Sequence, residues 1–403
     1  MKPDEMRRLR LRGRLNSTIR NPQSAIRLRQ GYGGQVRNHN QMWLLVVALE
    51  TAWFASAAFA GARVEGDWIV VSGKGNTLET VAREVGDKAI LSFDPETGSA
   101  TSARSLRIAG ELLIGGARTS GTLSRFAGSL DFDVGQCGQA RIVLAGSSDS
   151  PARLIVENAR IATLRTDEGN DACKNEGNVI EAATGSFVLR HSEVSGNFLL
   201  RAGGGAVEIE NSLIGTSNHT GASLSGASTA RARMARLRSL DHKMYGMEIG
   251  PAEDVSGSSP TLLMLEECTI RGGGADLHVR GRTEAVARDC DFDSIRFAGE
   301  GGSVRRQWTV VVRTSAPGFR VVAESETGAA RAERIEATAD GSGTARLVLT
   351  EYTAQPGGLD YLQRGRNDST PHRLTVYSAD GKTIVGRLGH YRVFARGQEV
   401  RIP

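Results

Sequence analysis

Carboxylates at alternate positions are the groups in this chain best placed to do chemistry. Asp289, Asp291 and Asp293 alternate along one short segment, and Glu267 precedes Asp289 by 22 residues with Glu266 beside it. Two carboxylates flanking a sugar linkage can hydrolyse it, and a denser set of oxygens can hold calcium. Acids on an exposed strand most often only solvate it, and that plainer reading outweighs catalysis here. Asp241-His242 sets a carboxylate beside an imidazole, and His191 stands alone. Cys137, Cys173, Cys268 and Cys290 are an even number of thiols, as a disulfide-bonded exported protein would carry. No Cys/His spacing suggests zinc, and no nucleophile elbow, phosphate loop or dinucleotide fingerprint is present.

The elements that would hold these residues are written as a repeat. Leu265-Glu-Glu-Cys-Thr-Ile270 is answered by Ala287-Arg-Asp-Cys-Asp-Phe292, and the same phrase occurs from Val156 to Ile161, from Leu189 to Val194 and from Ile209 to Ile214. It reads apolar, polar, Asn-like, small, polar, apolar. Side chains on a strand alternate between two faces, so the first apolar residue points in and its polar neighbour out. Asn tolerates the left-handed backbone of a sharp corner, and its amide can bond along a stack of like corners. The corner column is then Asn158, His191, Asn211, Glu267 and Asp289, at spacings of 33, 20, 56 and 22. Short spacings are single coils; long ones carry outward loops or eroded coils. In this frame His191 substitutes for a corner Asn rather than acting as a base. Asp289 becomes a corner residue, which leaves Asp291, Asp293 and Glu266 as outward acids.

These phrases and their Gly-rich connectors resemble the right-handed parallel β-helix proteins of the pectate-lyase-like superfamily over roughly residues 105–305. Stacked coils of this kind bury one continuous core that no single coil could bury alone. Asp241-His242 is similar to the Asp-His of pectate lyases, but it lacks their aromatic-Ile lead and their downstream Arg-x-Pro-x-x-Arg. Cys268 and Cys290 fall on one inward position of consecutive coils, roughly 4.8 Å apart. That leaves a reduced stacked pair and a disulfide equally open. Cys137 and Cys173 lie in polar loops and are the more plausible bonded pair.

The 403-residue chain carries a formal charge of +5, which invites a nucleic-acid partner until its location is read. Residues 1–41 hold ten Lys/Arg against two acids, and subtracting that +8 from +5 leaves −3 for residues 42–403. Nucleic acid is therefore not an expected partner. Residues 42–60 run apolar to Ala58-Phe-Ala60, a small-x-small site after a basic stretch, and read as an export signal cut before Gly61. Their apolar run falls short of the roughly 18 residues of a membrane span, so no transmembrane segment is expected in the mature chain. Residues 1–41 lack hydrophobic periodicity and read as a basic disordered leader, or as an upstream artefact with Met42 the true start.

Residues 61–104 predict an N-terminal cap: a strand at Asp67-Trp-Ile-Val-Val, then a short helix capped by Asn76 with Glu79 completing a capping box. Leu78, Val81, Ala82 and Val85 share one face of that helix. Such a cap protects the raw edge of a first coil. Residues 216–260, rich in Ser, Ala, Gly and Arg, break the pattern and predict an outward loop. Residues 306–403 change to plain alternation with turns at Asp340-Gly341 and Asp380-Gly381, which predicts a small β-sandwich. The phrase from Ala339 to Leu347 resembles the hairpin of carboxypeptidase-regulatory-like and bacterial Ig-like modules, although Gly318-Phe-Arg-Val-Val lacks the small-residue approach of that family.

The chain is thus expected to be all-β: a helical cap, a right-handed parallel β-helix and a C-terminal sandwich. The expected function is that of an exported or cell-surface protein with a structural or glycan-interacting role, its partners polysaccharide or cell-surface components and its cofactors none. The alternative is a polysaccharide lyase or glycoside hydrolase acting in a groove on the β-helix face, with calcium a cofactor only under the lyase reading. Its candidate residues are Asp291, Asp293, Glu266, Asp241 and His242. Few aromatic residues are available for sugar stacking, which weighs against a processive enzyme.

Overall fold

The computed structural model describes residues 61–402 except 117–120, 125–127, 134–139, 147–151, 165–177, 183–184, 196–197, 202–205, 216–219, 221, 226–230, 236–237, 243, 251–260, 300, 328–332 and 357–366. The expected leader 1–41, the expected signal 42–60, Cys137 and Cys173 lie outside the described residues. Among those described, the chain is all-β apart from one helix, Leu78–Val85.

Alternation of apolar and polar side chains writes strands, and the chain lays these strands into three large sheets, here A, B and C, with a smaller sheet D in the order Arg334–Thr338, Arg320–Ser325, His372–Tyr377 and Ile384–Tyr391. Each turn contributes one strand to A, one to B and one to C. Arg160–Leu164, Asn178–Ala182 and Ser186–Arg190 make one turn; Glu193–Ser195, Phe198–Arg201 and Ala206–Glu210 make the next. Every such strand pairs in parallel with its counterpart one turn on, as Ile161 does with Val194 and Leu189 with Ile209. In-register stacking lines up like residues: Val156, Leu189, Ile209, Leu265 and Ala287 all lie in one inward column of sheet C and are fully buried. One such aliphatic side chain contributes about 2 kcal/mol when removed from water, a gain available only with a neighbouring turn on top. The arrangement is compatible with a β-helix-like fold.

The corners follow from backbone conformation. Asn158, His191, Asn211, Glu267 and Asp289 all adopt left-handed φ, between 49° and 54°. The expected amide ladder is not what joins them: Asn158 and Asn211 make no side-chain hydrogen bond among the described residues. Left-handed φ turns these side chains outward, so the backbone takes over, with Asn158 N–H donating to the Arg190 carbonyl (3.1 Å) and His191 N–H to that of Glu210 (3.1 Å). The small residue after each corner carries a second ladder. The Ser192 hydroxyl donates to Arg190 O (2.7 Å) and accepts from Ala159 N–H (3.3 Å), and Ser212 repeats this one turn on. Cys268 and Cys290 occupy the same column as free, buried thiols.

Three expectations are corrected. Residues 216–260 are not a single outward loop; they supply Ala222–Ser225, Arg231–Ala235, Arg238–His242 and Tyr245–Ile249 to the three sheets in sequence. The helix cap is Thr77 rather than Asn76, with Thr77 and Thr80 forming the capping box. Strand Asn76–Thr77 still pairs with Leu112 and Leu113, so the chain stays extended one residue longer and the Asn76 amide donates to Ser72 O and Glu111 O instead. Leu78 and Val81 then bury against the first turn, with Ala82 and Val85 packed beside them.

The third correction concerns the boundary at residue 305. Strand Ser303–Arg313 has no break there: its first half pairs in parallel with Thr283–Arg288, and its length pairs antiparallel with Thr344–Ala354. Its second half, with Thr344–Ala354 and Gln398–Arg401, covers a second core against sheet D. Trp308, Val310, Leu347, Val321, Leu374 and Val376 fill that core.

Candidate functional site

The acids singled out by spacing do not converge. Glu266 precedes its corner and lies on the outer side of sheet C, where Arg288 pairs with it at 3.3 Å. Asp291 follows its corner and bridges to Thr269 of sheet A. A left-handed corner therefore separates the carboxylates. Arg271 binds Asp291 twice, through the carboxylate at 2.7 Å and the backbone carbonyl at 2.9 Å. This bond, with burial opposing it, holds the guanidinium above its ordinary pKa. Asp293 is exposed, and its backbone N–H donates to Asp276, a buried acid that also accepts from Gly272 and Ser294 N–H (2.6, 3.0 and 3.2 Å). Asp276 thus closes the turn that carries Asp293. Asp241 and His242 end strand Arg238–His242 of sheet A. His191 is an exposed corner residue, and Asp289 is a buried one, bound to Thr309. Among the described residues no cluster of three or more His, Cys, Asp or Glu could hold a metal ion.

Around three consecutive corners runs an open groove of about 870 Å³, lined by Asn158, His191 and Asn211 and by Arg160, Glu193 and Leu213, the first residues of the sheet A strands that follow. Its walls are amide, imidazole and both signs of charge, on a rigid backbone.

A second polar constellation lies on the outer face of sheet B and has no contiguous signature. Register stacks Glu248 on His278 and His278 on Arg296, one residue from each of three turns. His278 Nδ1 lies 2.8 Å from Glu248 Oε2, and Arg280 Nη1 is 3.4 Å from the other oxygen. The Tyr245 ring stacks on the imidazole at 4.1 Å between centroids, and its hydroxyl accepts from Arg296 at 3.2 Å. His278 is only 8% exposed. Close packing of the turns makes this possible: at Gly250 a Cβ would sit 2.2 Å from the Arg280 carbonyl, so only glycine lets the Glu248 strand end there. The signal available in sequence was the outward series Asp276, His278, Arg280 within an otherwise apolar strand. Its partner Glu248 was hidden in the stretch expected to be a loop.

Comparison with protein-family models, with curated proteins and with solved structures finds no match. No helix among the described residues is long and apolar enough to cross a membrane.

Proposed function

We propose that this chain is an exported or cell-surface protein, a right-handed parallel β-helix ending in a β-sandwich, whose role is structural or glycan-interacting and not catalytic. The rotation of strands through three parallel sheets supports the β-helix, and the second core between sheet D and the far half of Ser303–Arg313 supports the sandwich. The observation that carries the glycan reading is the corner groove. Asn158, His191 and Asn211 present hydrogen-bonding groups on consecutive turns beside Arg160 and Glu193, and Asn amides offer both donors and acceptors to sugar hydroxyls. Exposure, rather than burial among reacting groups, suits binding more than chemistry. The salt-bridged state of Glu266 and Asp291 points the same way.

The second reading is a polysaccharide lyase or hydrolase on the same scaffold, and the Glu248–His278 pair is the observation on its side, because a carboxylate on one imidazole nitrogen orients the other as a base. One experiment separates the two. The full chain is assayed on neutral and acidic polysaccharides, with and without calcium, for reducing-end and unsaturated products, while retention on the same immobilised glycans is measured. Retention that falls in Asn158→Ala with Asn211→Ala, with no product released, is the expected result. Product release that disappears in His278→Ala would sink the non-catalytic reading.

A further inference from the structure

The open edge of sheet D is apolar and basic at once. Ile384–Tyr391 ends the strand order of that sheet, and its far side pairs with no strand among the described residues. Ile384, Val385 and Leu388 on this strand and Phe394 just after it are four of the eight large hydrophobic side chains left exposed among the described residues, and Phe394, at 66%, is the most exposed of all. Ile384 stands opposite Tyr377 and Leu388 opposite Leu374. Tyr377 and Leu374 alternate to opposite faces of their strand, so their partners flank the free edge from both sides. A surface that meets the sheet edge-on therefore touches both. Contiguous exposed apolar side chains of this kind mark an interaction surface.

The same stretch is cationic. Lys382, Arg387, Arg392 and Arg396 interleave with these side chains, and no acid falls between them. From His372 to Ile402 the chain carries six Lys/Arg against two acids. Three carboxylates come near: Asp380, in the turn before the strand, accepts from the Ser378 hydroxyl and Lys382 N–H, Glu326 pairs with His390 at 3.0 Å, and Glu267 pairs with Arg396 at 2.9 Å. Lys382, Arg387 and Arg392 are exposed and make no ion pair among the described residues, so the balance at the edge stays positive.

Backbone and charge together select what covers this edge. Each of the two register shifts against His372–Tyr377 places an extra residue on Ile384–Tyr391, and His390 turns left-handed at φ 53°. Bulges of this kind twist an edge away from further pairing, which disfavours an added peptide strand. A second copy of the same edge would bring like charges together. An anionic bilayer meets every feature: its phosphates answer the cations, and its acyl boundary takes up Phe394, Ile384, Val385 and Leu388.

We propose that the Ile384–Tyr391 edge, with Phe394, docks the C-terminal module on the anionic surface of a phospholipid bilayer. The proposal goes beyond the glycan reading and does not depend on the corner groove.

The test is titration of the full chain with vesicles of phosphatidylglycerol mixed with phosphatidylcholine, and with vesicles of phosphatidylcholine alone. Residues 1–41 are themselves basic, so the deciding signal is local to the edge. Phe394→Trp is expected to show, in difference from the parent, emission moved to shorter wavelength on the mixed vesicles and quenched by brominated acyl chains. High salt should weaken the response, and phosphatidylcholine alone should give little of it. A Lys or Arg near an anionic surface contributes about fivefold to partition, so adding Arg387→Gln and Arg392→Gln to Phe394→Trp should weaken binding about 25-fold. Adding Arg346→Gln, exposed on Thr344–Ala354 of the other sheet, should leave it unchanged. These substitutions at exposed side chains should not move the denaturation midpoint. No emission change on mixed vesicles, or equal affinity after the two edge arginines are replaced, would overturn the proposal. A response to polyglutamate but not to vesicles would overturn it in favour of an acidic polypeptide, and a response to raised protein concentration alone in favour of a second copy.

Discussion

Asp289, the last corner of the stack, accepts two hydrogen bonds from Thr309, one from the backbone N–H (2.7 Å) and one from the hydroxyl (2.6 Å). Thr309 stands in the half of Ser303–Arg313 beyond its parallel pairing with Thr283–Arg288, where the strand covers the second core, so one side chain joins the last turn of the stack to the module that follows. The preceding corner makes a similar reach, Glu267 pairing with Arg396 at 2.9 Å. The first pair is buried and the second largely exposed, so the two corners should differ in energetic weight. Asp289→Ala leaves a partly buried N–H and hydroxyl without their acceptor and is expected to cost about 1–3 kcal/mol. Glu267→Ala removes a surface pair and should cost under about 1 kcal/mol. Urea denaturation of the two variants decides; equal losses would mean that the Asp289 contact is incidental.

A second prediction concerns Arg306 at the same junction. Its guanidinium lies 4.8 Å from the Phe292 ring centroid and 4.7 Å from that of Trp308, with Glu351 at 3.5 Å. Trp308 Nε1 donates to the same carboxylate at 2.7 Å. Partly desolvated cation–π contacts contribute about 1–2 kcal/mol each. Arg306→Met, which keeps the aliphatic stem and removes the guanidinium beside Glu351, should lower stability by about 2–4 kcal/mol and shift the emission of Trp308. An unaltered emission maximum together with unaltered stability would refute it.

The thiol column makes a third. Cys290 Sγ donates to Arg288 O (3.2 Å) and accepts from Cys268 N–H (3.5 Å), the pattern that Ser192 and Ser212 make with hydroxyls. Hydrogen bonding to Cys268 and then burial push the Cys290 thiol upward in pKa. Thiol alkylation of the native protein at neutral pH should therefore be negligible. Cys290→Ser should be tolerated within about 1 kcal/mol, because the hydroxyl can take over both bonds, and Cys290→Val should cost more by removing the acceptor at Cys290 and the bond to Arg288 O. Chemical denaturation gives the order; Val tolerated better than Ser would show that packing alone governs the column.

The fourth is a pH dependence centred on His372. It is 1% exposed, its Nε2–H donates to Thr350 O at 2.9 Å, and buried Nδ1 has no partner among the described residues. Burial holds its pKa below the ordinary value, the Thr350 bond opposing. As pH falls below about 6.5 the unfolded chain takes up a proton at this residue while the folded chain resists. Stability from His372 is therefore present above the unfolded value and is lost as pH falls through the folded one. Denaturant midpoints compared near neutral and mildly acidic pH should drop in the parent and drop less in His372→Gln. Identical drops would assign the pH dependence to other groups.

How much of this was legible in the sequence depends on where geometry constrains residue type. A left-handed corner followed by a side chain small enough to turn inward restricts both positions, so Asn158-Ala159, His191-Ser192, Asn211-Ser212 and the two Cys corners could be found by pattern. The turn between Asn211 and Glu267 could not, since the stretch joining Arg231–Ala235 to Arg238–His242 is Arg236-Leu237 and offers neither signal. The sheet B cluster escaped for a different reason. Glu248, His278 and Arg296 are 30 and 18 residues apart, so register alone brings them together. The join at Ser303–Arg313 was invisible because alternation reads the same whether a strand pairs with one sheet or two.

That shared strand governs how the molecule bears load. With Ser303–Arg313 built into both cores, no intervening segment is free to bend. A pull on the C-terminal module passes into sheet C as shear across the bonds to Thr283–Arg288 and Thr344–Ala354 together. Bonds loaded side by side share force, whereas bonds loaded in series unzip. The junction should therefore resist tension until a whole rung gives way, and under flow or traction the two cores should turn as one rigid arm.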